Sequence, residues 1–185
     1  MNARPMSNTN TKAPTLEEHL RAWGLRGAPF APDEKSSAIF PADSHRGAHD
    51  LLDSTAALRG AKLLTGAPGS GKSTLLKTWM RGLSVQRALF TRISATAALD
   101  PLARQDIALY LNWQVSRAGL ERDIFEPAAV DLLAEASQGN PRTLNLLAQA
   151  AWLAAARSTA TTIHPEHIHS ALRQVPAASA KTTNP

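Results

Sequence analysis

Apolar residues recur at helical spacing along most of the chain and contract into short continuous runs at two places. Leu16, Leu20 and Trp23 mark one side of a first helix, which Thr15-Leu16-Glu17-Glu18 opens as a capping box and Gly24 stops. Beyond a proline-broken stretch, Ala28-Pro29-Phe30-Ala31-Pro32, the positions Ala48, Leu51, Leu52 and Leu58 predict a second helix, with Asp43 or Ser44 able to cap it. Ala61-Lys62-Leu63-Leu64-Thr65 is a compact apolar run that reads as a short buried strand. Leu75, Leu76, Trp79 and Leu83 return to helical spacing with a stop near Gly82, and Ala88-Leu89-Phe90-Thr91-Arg92-Ile93-Ser94-Ala95 again has strand composition.

From Pro101 onward the pattern predicts only helices. Ile107, Tyr110, Leu111, Val115 and Ala118 make one stripe, closed by Gly119. Pro127 starts the next helix, with Ala129, Leu132, Leu133 and Ala136 inward and Gly139 as its end. Asn140-Pro141 caps and starts a third, carrying Leu144, Leu147, Ala148 and Ala151; Pro165 starts a fourth, carrying Ile168, Ala171 and Leu172. The expected architecture is α/β: a disordered stretch over 1–14, a small core with few parallel strands over 15–100, a helical domain over 101–175 and a loose tail over 176–185. There is no internal repeat.

Between the first strand and its helix lies Gly66-Ala67-Pro68-Gly69-Ser70-Gly71-Lys72-Ser73-Thr74, which fits the phosphate-binding pattern G-x-x-x-x-G-K-[ST]. Glycines let the backbone curl so that several N–H groups converge on one phosphate, and Lys72 adds a positive charge. The Ser73 hydroxyl is the expected magnesium ligand, and the helix that follows points its positive end at the same anion. So short a pattern needs its context, and strand, loop and helix stand here in the required order. The expected ligand is ATP or ADP with magnesium, held by Gly66, Pro68, Gly69, Ser70, Gly71, Lys72, Ser73 and Thr74.

Bulk properties narrow the classes. The chain has no cysteine, so it has neither a disulfide framework nor a cysteine-ligated metal. Residues 1–14 are polar with no hydrophobic centre, and no apolar run approaches bilayer length, so a cytoplasmic protein without membrane insertion is expected. A formal charge of +5 exceeds what a nucleotide alone requires. It suits non-specific binding of double-stranded DNA, or else reflects arginines that solvate helix faces. His164, His167 and His169 cluster near the last helix, but two histidines on one face without a third ligand read as polar surface.

Several separated segments resemble one group, the AAA+ ATPases of the ExeA (general secretion) and TniB/TnsC-like (transposition helper) kind. Trp23-Gly24-Leu25-Arg26-Gly27-Ala28-Pro29-Phe30 is similar to that group's opening, and Phe40-Pro41-Ala42-Asp43-Ser44-His45-Arg46 to its S-H-R-E segment. Leu99-Asp100-Pro101-Leu102-Ala103-Arg104 and the residues to Leu111 resemble its L-x-P-L-x-R-x-E-x-x-x-Y-I, and Ser137-Gln138-Gly139-Asn140-Pro141-Arg142-Thr143-Leu144-Asn145 its S-x-G-x-P-R-x-I-N. The resemblance covers most of residues 15–175. It implies a P-loop NTPase (AAA+) core followed by an all-helical lid. Lys72 and Ser73 then inherit phosphate and magnesium roles, Arg142 matches the sensor-2 arginine, and Arg92 falls near the position of a finger arginine. A homo-oligomer and a transposase partner are also implied.

The group's catalytic middle is missing. Hydrolysis needs an apolar strand ending in an acid that helps hold magnesium and polarises water, then a polar sensor strand. No room for them exists between Leu83 and Ala88. Asp100, Asp131 and Glu135 are stand-ins that read better as solvated or capping carboxylates. The expected protein is therefore a shortened ATP-binding relative with weak or no hydrolysis. The rival reading is a helical DNA-binding or interaction module whose P-loop is a vestige; a small P-loop kinase ranks last, for want of a catalytic base and substrate loops.

Overall fold

The structure is a computed structural model that describes residues 14–31, 39–58, 61–82 and 93–175. Its elements run α1 (Leu16–Trp23), α2 (Asp43–Leu58), β1 (Ala61–Gly66), α3 (Lys72–Gly82), β2 (Ile93–Leu99), α4 (Arg104–Arg117), α5 (Pro127–Ser137), α6 (Pro141–Arg157) and α7 (Pro165–Gln174). The fold is thus mixed α/β and mostly helical. Among the described residues no helix is long and apolar enough to cross a membrane.

Two strands make a small parallel sheet, with register from Lys62↔Ala95 to Gly66↔Leu99 and an irregularity between Ala61 and Lys62. α2 and α3 pack on it. Ala48, Leu52, Leu75 and Leu99 form the small core there, flanked by Leu64, Leu76 and Trp79. Leu63 points away from that core and is 46% exposed. A parallel sheet ordinarily has both faces covered, so an open leucine at its centre marks a sheet with little packing to spare.

The larger core belongs to the C-terminal helices and α1. α6 is its axis, touching α1, α5 and α7, with Ala148, Ala151, Trp152 and Ala155 fully buried. Its start is fixed locally: the Asn140 side chain accepts hydrogen bonds from the Arg142 and Thr143 N–H groups, and Pro141 occupies the first turn, where its missing N–H costs nothing. α1 docks by Trp23, edge-on to Trp152 at 6.4 Å between ring centroids. Its capping box is formed, with Thr15 N donating to Glu18 and Glu18 N to the Thr15 hydroxyl.

The turn between α5 and α6 ties the two halves together. Gln138 and Gly139 both take left-handed backbone, and the Gly139 carbonyl accepts a hydrogen bond from Leu102 N at 2.9 Å. A Cβ on Gly139 would run into the Leu102 backbone. Only glycine lets the segment leaving β2 approach this closely.

Several sequence expectations are corrected. The second strand occupies Ile93–Leu99, later than the run 88–95, of which 88–92 lie outside the described residues. Ile93, expected in the strand, begins it and pairs with Ala61, and pairing with β1 carries the strand on through a run of mostly small residues whose own strand propensity is low. Asp43 is the first residue of α2, where it lies 3.7 Å from Arg46, and not its cap. Leu16 and Leu172 are exposed; α1 buries Trp23 as expected, with His19 beside it in place of Leu16. Leu58 and Leu83 carry no described side chain, and the ends expected to be disordered lie outside the described residues except Pro14.

His167 is the clearest departure. It is buried, not polar surface: its Nδ1 accepts from the His164 N–H at 2.9 Å and its Nε2 lies 3.1 Å from the Ser158 hydroxyl. His164 caps the same turn and reaches Glu126 at 2.8 Å, while His169 is exposed. Burial lowers the His167 pKa from its ordinary value. The pair closes the start of α7.

Candidate functional site

The loop 66–71 leaves β1 and turns directly into α3. Ser70 N donates to Ala67 O at 3.1 Å, and the first helical bond runs from Leu75 N to Gly71 O at 2.9 Å. The N–H groups of the first turn of α3 therefore have no partner within the helix, and they stand at its positive end. Such an end binds anions. The Lys72 ammonium folds back under the loop and donates to the carbonyls of Gly66 at 2.8 Å and Ala67 at 2.9 Å. That holds the loop curled and leaves one of its three donors over.

The start of α6 closes on this loop from the other side. The Asn140 amide, whose oxygen caps α6, donates through Nδ2 to Pro68 O at 2.8 Å. Gly69 has φ +87°, and a Cβ there would stand 2.7 Å from Asn140 Oδ1 and 2.8 Å from Arg142 Cβ. One asparagine thus fixes both the helix start and its seat on the loop. It brings Arg142 against a loop some seventy residues earlier in the chain.

Loop and helix border a cleft of about 670 Å³, within the usual range for small-molecule sites. Gly69, Gly71, Lys72, Ser73, Thr74 and Arg142 line it; Gly66, Pro68 and Ser70 shape the loop without lining the cleft. An aromatic wall completes it. Phe40 meets Tyr110 at 5.4 Å and Trp113 at 5.9 Å, both edge-on, and Arg117 sits 4.8 Å over the Trp113 ring. The Tyr110 hydroxyl accepts from Gln114 and donates to Asn145, and burial pushes its pKa up. His45 also borders the cleft; burial lowers its pKa, against a backbone hydrogen bond with Ser70 that raises it.

Among the described residues the formally charged groups that line the cleft are cations. Lys72, Lys77, Arg81, Arg117 and Arg142 line it, and none of the described lining residues is a carboxylate. Asp100 follows the end of β2, exposed and outside the lining. Asp131 pairs with Arg104 at 2.7 Å on the surface, and Glu135 is exposed. Arg92 lies outside the described residues. A protein-held magnesium ion calls for one or two carboxylates besides a hydroxyl. The Ser73 hydroxyl is exposed at the cleft, but the described donor set does not fit such an ion, and no group of three His, Asp or Glu able to hold a metal occurs among the described residues.

A relative can be found for part of the chain. General secretion pathway protein A of Aeromonas hydrophila is 38% identical over 79 residues. The relationship is ExeA-like. It covers 42% of this chain and 14% of that protein, so the chain corresponds to a small part of its relative's length. No protein-family model matches the chain, and no solved structure matches it.

The sequence had singled out the loop and Arg142. It missed the aromatic wall and the second role of Asn140. Trp113 stands three positions after Tyr110 and four before Arg117 on α4, a spacing that puts the three side chains on one helix face. That was the available signal.

Proposed function

We propose that the chain binds a nucleoside triphosphate, ATP being the best candidate, as a shortened ExeA-type member of the AAA+ P-loop proteins with weak or no hydrolysis. The observation that carries this reading is the seating of α6 on the glycine-rich loop, Asn140 Nδ2 on Pro68 O and Arg142 beside Gly69. It sets a cation of the helical lid opposite the loop and the first turn of α3, which is the arrangement a triphosphate needs. Phosphates would lie against the α3 amides with Lys72 and Arg142 beside them, and the base would stack toward Phe40 and Trp113. The partial secretion-protein relative supports the same reading. Weak turnover follows from the exposed, off-cleft position of Asp100, since a general base contributes ~10²–10⁴-fold in rate. Magnesium would reach the cleft only with the nucleotide, at the Ser73 hydroxyl. Non-specific DNA, a transposase and assembly into a homo-oligomer remain partners that the resemblance and the net charge of +5 suggest.

Titration with a fluorescent ATP analogue tests it. Lys72→Ala should weaken binding about 10- to 150-fold, since a charge-assisted phosphate contact is worth about 1.5–3 kcal/mol. Phosphate release by the same protein should stay at background and be unchanged by Asp100→Asn. Equal binding by Lys72→Ala, or none by the natural chain, would favour the helical interaction module with a vestigial loop.

A further inference from the structure

The side-chain amide of Asn140 joins groups that belong to the two walls of the cleft. Its Nδ2 donates to Pro68 O at 2.8 Å, while its Oδ1 accepts from the Arg142 N–H at 3.1 Å and the Thr143 N–H at 3.3 Å. We propose that Asn140 is a positioning residue for Arg142: the two-ended amide fixes the arginine relative to the glycine-rich loop, and nucleotide affinity depends on that placement. The inference rests on the reading of the cleft as a nucleotide site with Arg142 beside the phosphates.

The path from loop to arginine is short. It runs from Pro68 O through one planar amide to the backbone N–H of Arg142, so the group that grips the loop also sets where α6 begins. Few side chains can do both. Serine, threonine and aspartate cap a helix but carry no amide N–H to donate, and glutamine carries one but is not among the favoured caps. A further bond holds the same turn from another side, since Leu102 N donates to Gly139 O at 2.9 Å. The turn is therefore tied to the segment after β2 at residue 139 and to the loop at residue 140. With the first tie alone, the start of α6 could pivot about it; the Asn140 bond stops that motion. Packing closes the same gap, because a Cβ on Gly69 would stand 2.7 Å from Asn140 Oδ1 and 2.8 Å from Arg142 Cβ. A charge adds most to binding when it is already in place, since no ordering cost is then left to offset the contact.

The experiment is ATP titration of four proteins: the natural chain, Asn140→Ser, Arg142→Gln and the double variant. Serine keeps the cap and adds no charge, but its single short hydroxyl lacks the second arm that meets Pro68. Each single change should weaken binding about threefold or more. The double variant should bind within about twofold of the weaker single variant, because Asn140 acts through Arg142 and has nothing to position once that charge is gone. A larger combined loss, or natural affinity in either single variant, would overturn the proposal and leave the nucleotide reading standing. Amide exchange at saturating ATP gives a second readout, which a change in stability alone would not produce. In Asn140→Ser the ligand should still slow exchange over residues 66–78 but no longer over 142–146; slowing of both stretches would also overturn the proposal. Asn140→Thr, another cap without an amide, supplies the same comparisons if the serine protein does not fold. No binding by the natural chain would overturn the nucleotide reading itself, and this proposal with it.

Discussion

Replacing Trp152 with alanine should lower the free energy of unfolding by about 3–5 kcal/mol, the usual cost of deleting a large buried aromatic side chain. Domains of this kind have only about 5–15 kcal/mol to lose. Trp152 is fully buried at the middle of α6, the helix on which α1, α5 and α7 pack, and its ring meets Trp23 edge-on. The cavity would open where those helices converge, so relaxation around it should be small. Trp152→Phe separates packing from polarity. Trp152 Nε1 is buried with no hydrogen-bond partner among the described residues, so phenylalanine removes a donor that they leave unpaired, along with part of the ring. Urea unfolding should place Trp152→Phe well above Trp152→Ala in stability. Equal losses would mean that ring volume is not what this position supplies.

Gly69→Val should abolish detectable nucleotide binding. Its backbone is left-handed at φ +87°, a conformation that costs a residue bearing a Cβ about 1–2 kcal/mol. The larger effect is steric. The new Cβ would overlap Asn140 Oδ1 and Arg142 Cβ, and Arg142 Cβ is not the tip of a flexible chain but part of the first turn of α6. Either the loop moves or the helix does, and both break the Asn140 bond to Pro68. The stability loss should be modest beside the binding loss, because no loop residue belongs to the large apolar core. Titration and urea unfolding of the same preparation read the two effects separately. A Gly69→Val protein that binds ATP as the natural chain does would show that the contact between loop and α6 is not part of the site.

Local chemistry was legible in the sequence, and contacts between distant segments were not. Thr15 and Glu18 announce the α1 cap because both partners lie within one turn. Pro127, Pro141 and Pro165 each mark a helix start, since a missing N–H is tolerated at a first turn and little further inside. The glycine-rich loop was visible because its pattern is set by backbone geometry within one short continuous stretch, Gly66 to Ser73. The continuation of the second strand from Thr96 to Leu99 was missed because an alanine-rich run carries little strand signal until β1 is known to lie beside it. His167 read as surface because its partners, the His164 N–H and the Ser158 hydroxyl, are set by the turn and by the packing of α7 on α6. Asn140 was legible as a cap, but its grip on Pro68 joins residues 72 apart in the chain and has no local signature. The grouping of Lys72, Lys77 and Arg142 at one cleft likewise emerges only when α3 and the start of α6 are brought together.

A nucleotide bound as proposed touches both walls of the cleft, and backbone hydrogen exchange reads both walls at once. Amide exchange should be followed in the natural chain with and without saturating ATP, since ligand contact and local ordering slow the exchange of the amides involved. Slower exchange is expected in two separated stretches, the loop and first turns of α3 over residues 66–78 and the start of α6 over residues 142–146. Slowing in one stretch alone, or in neither, would contradict the account.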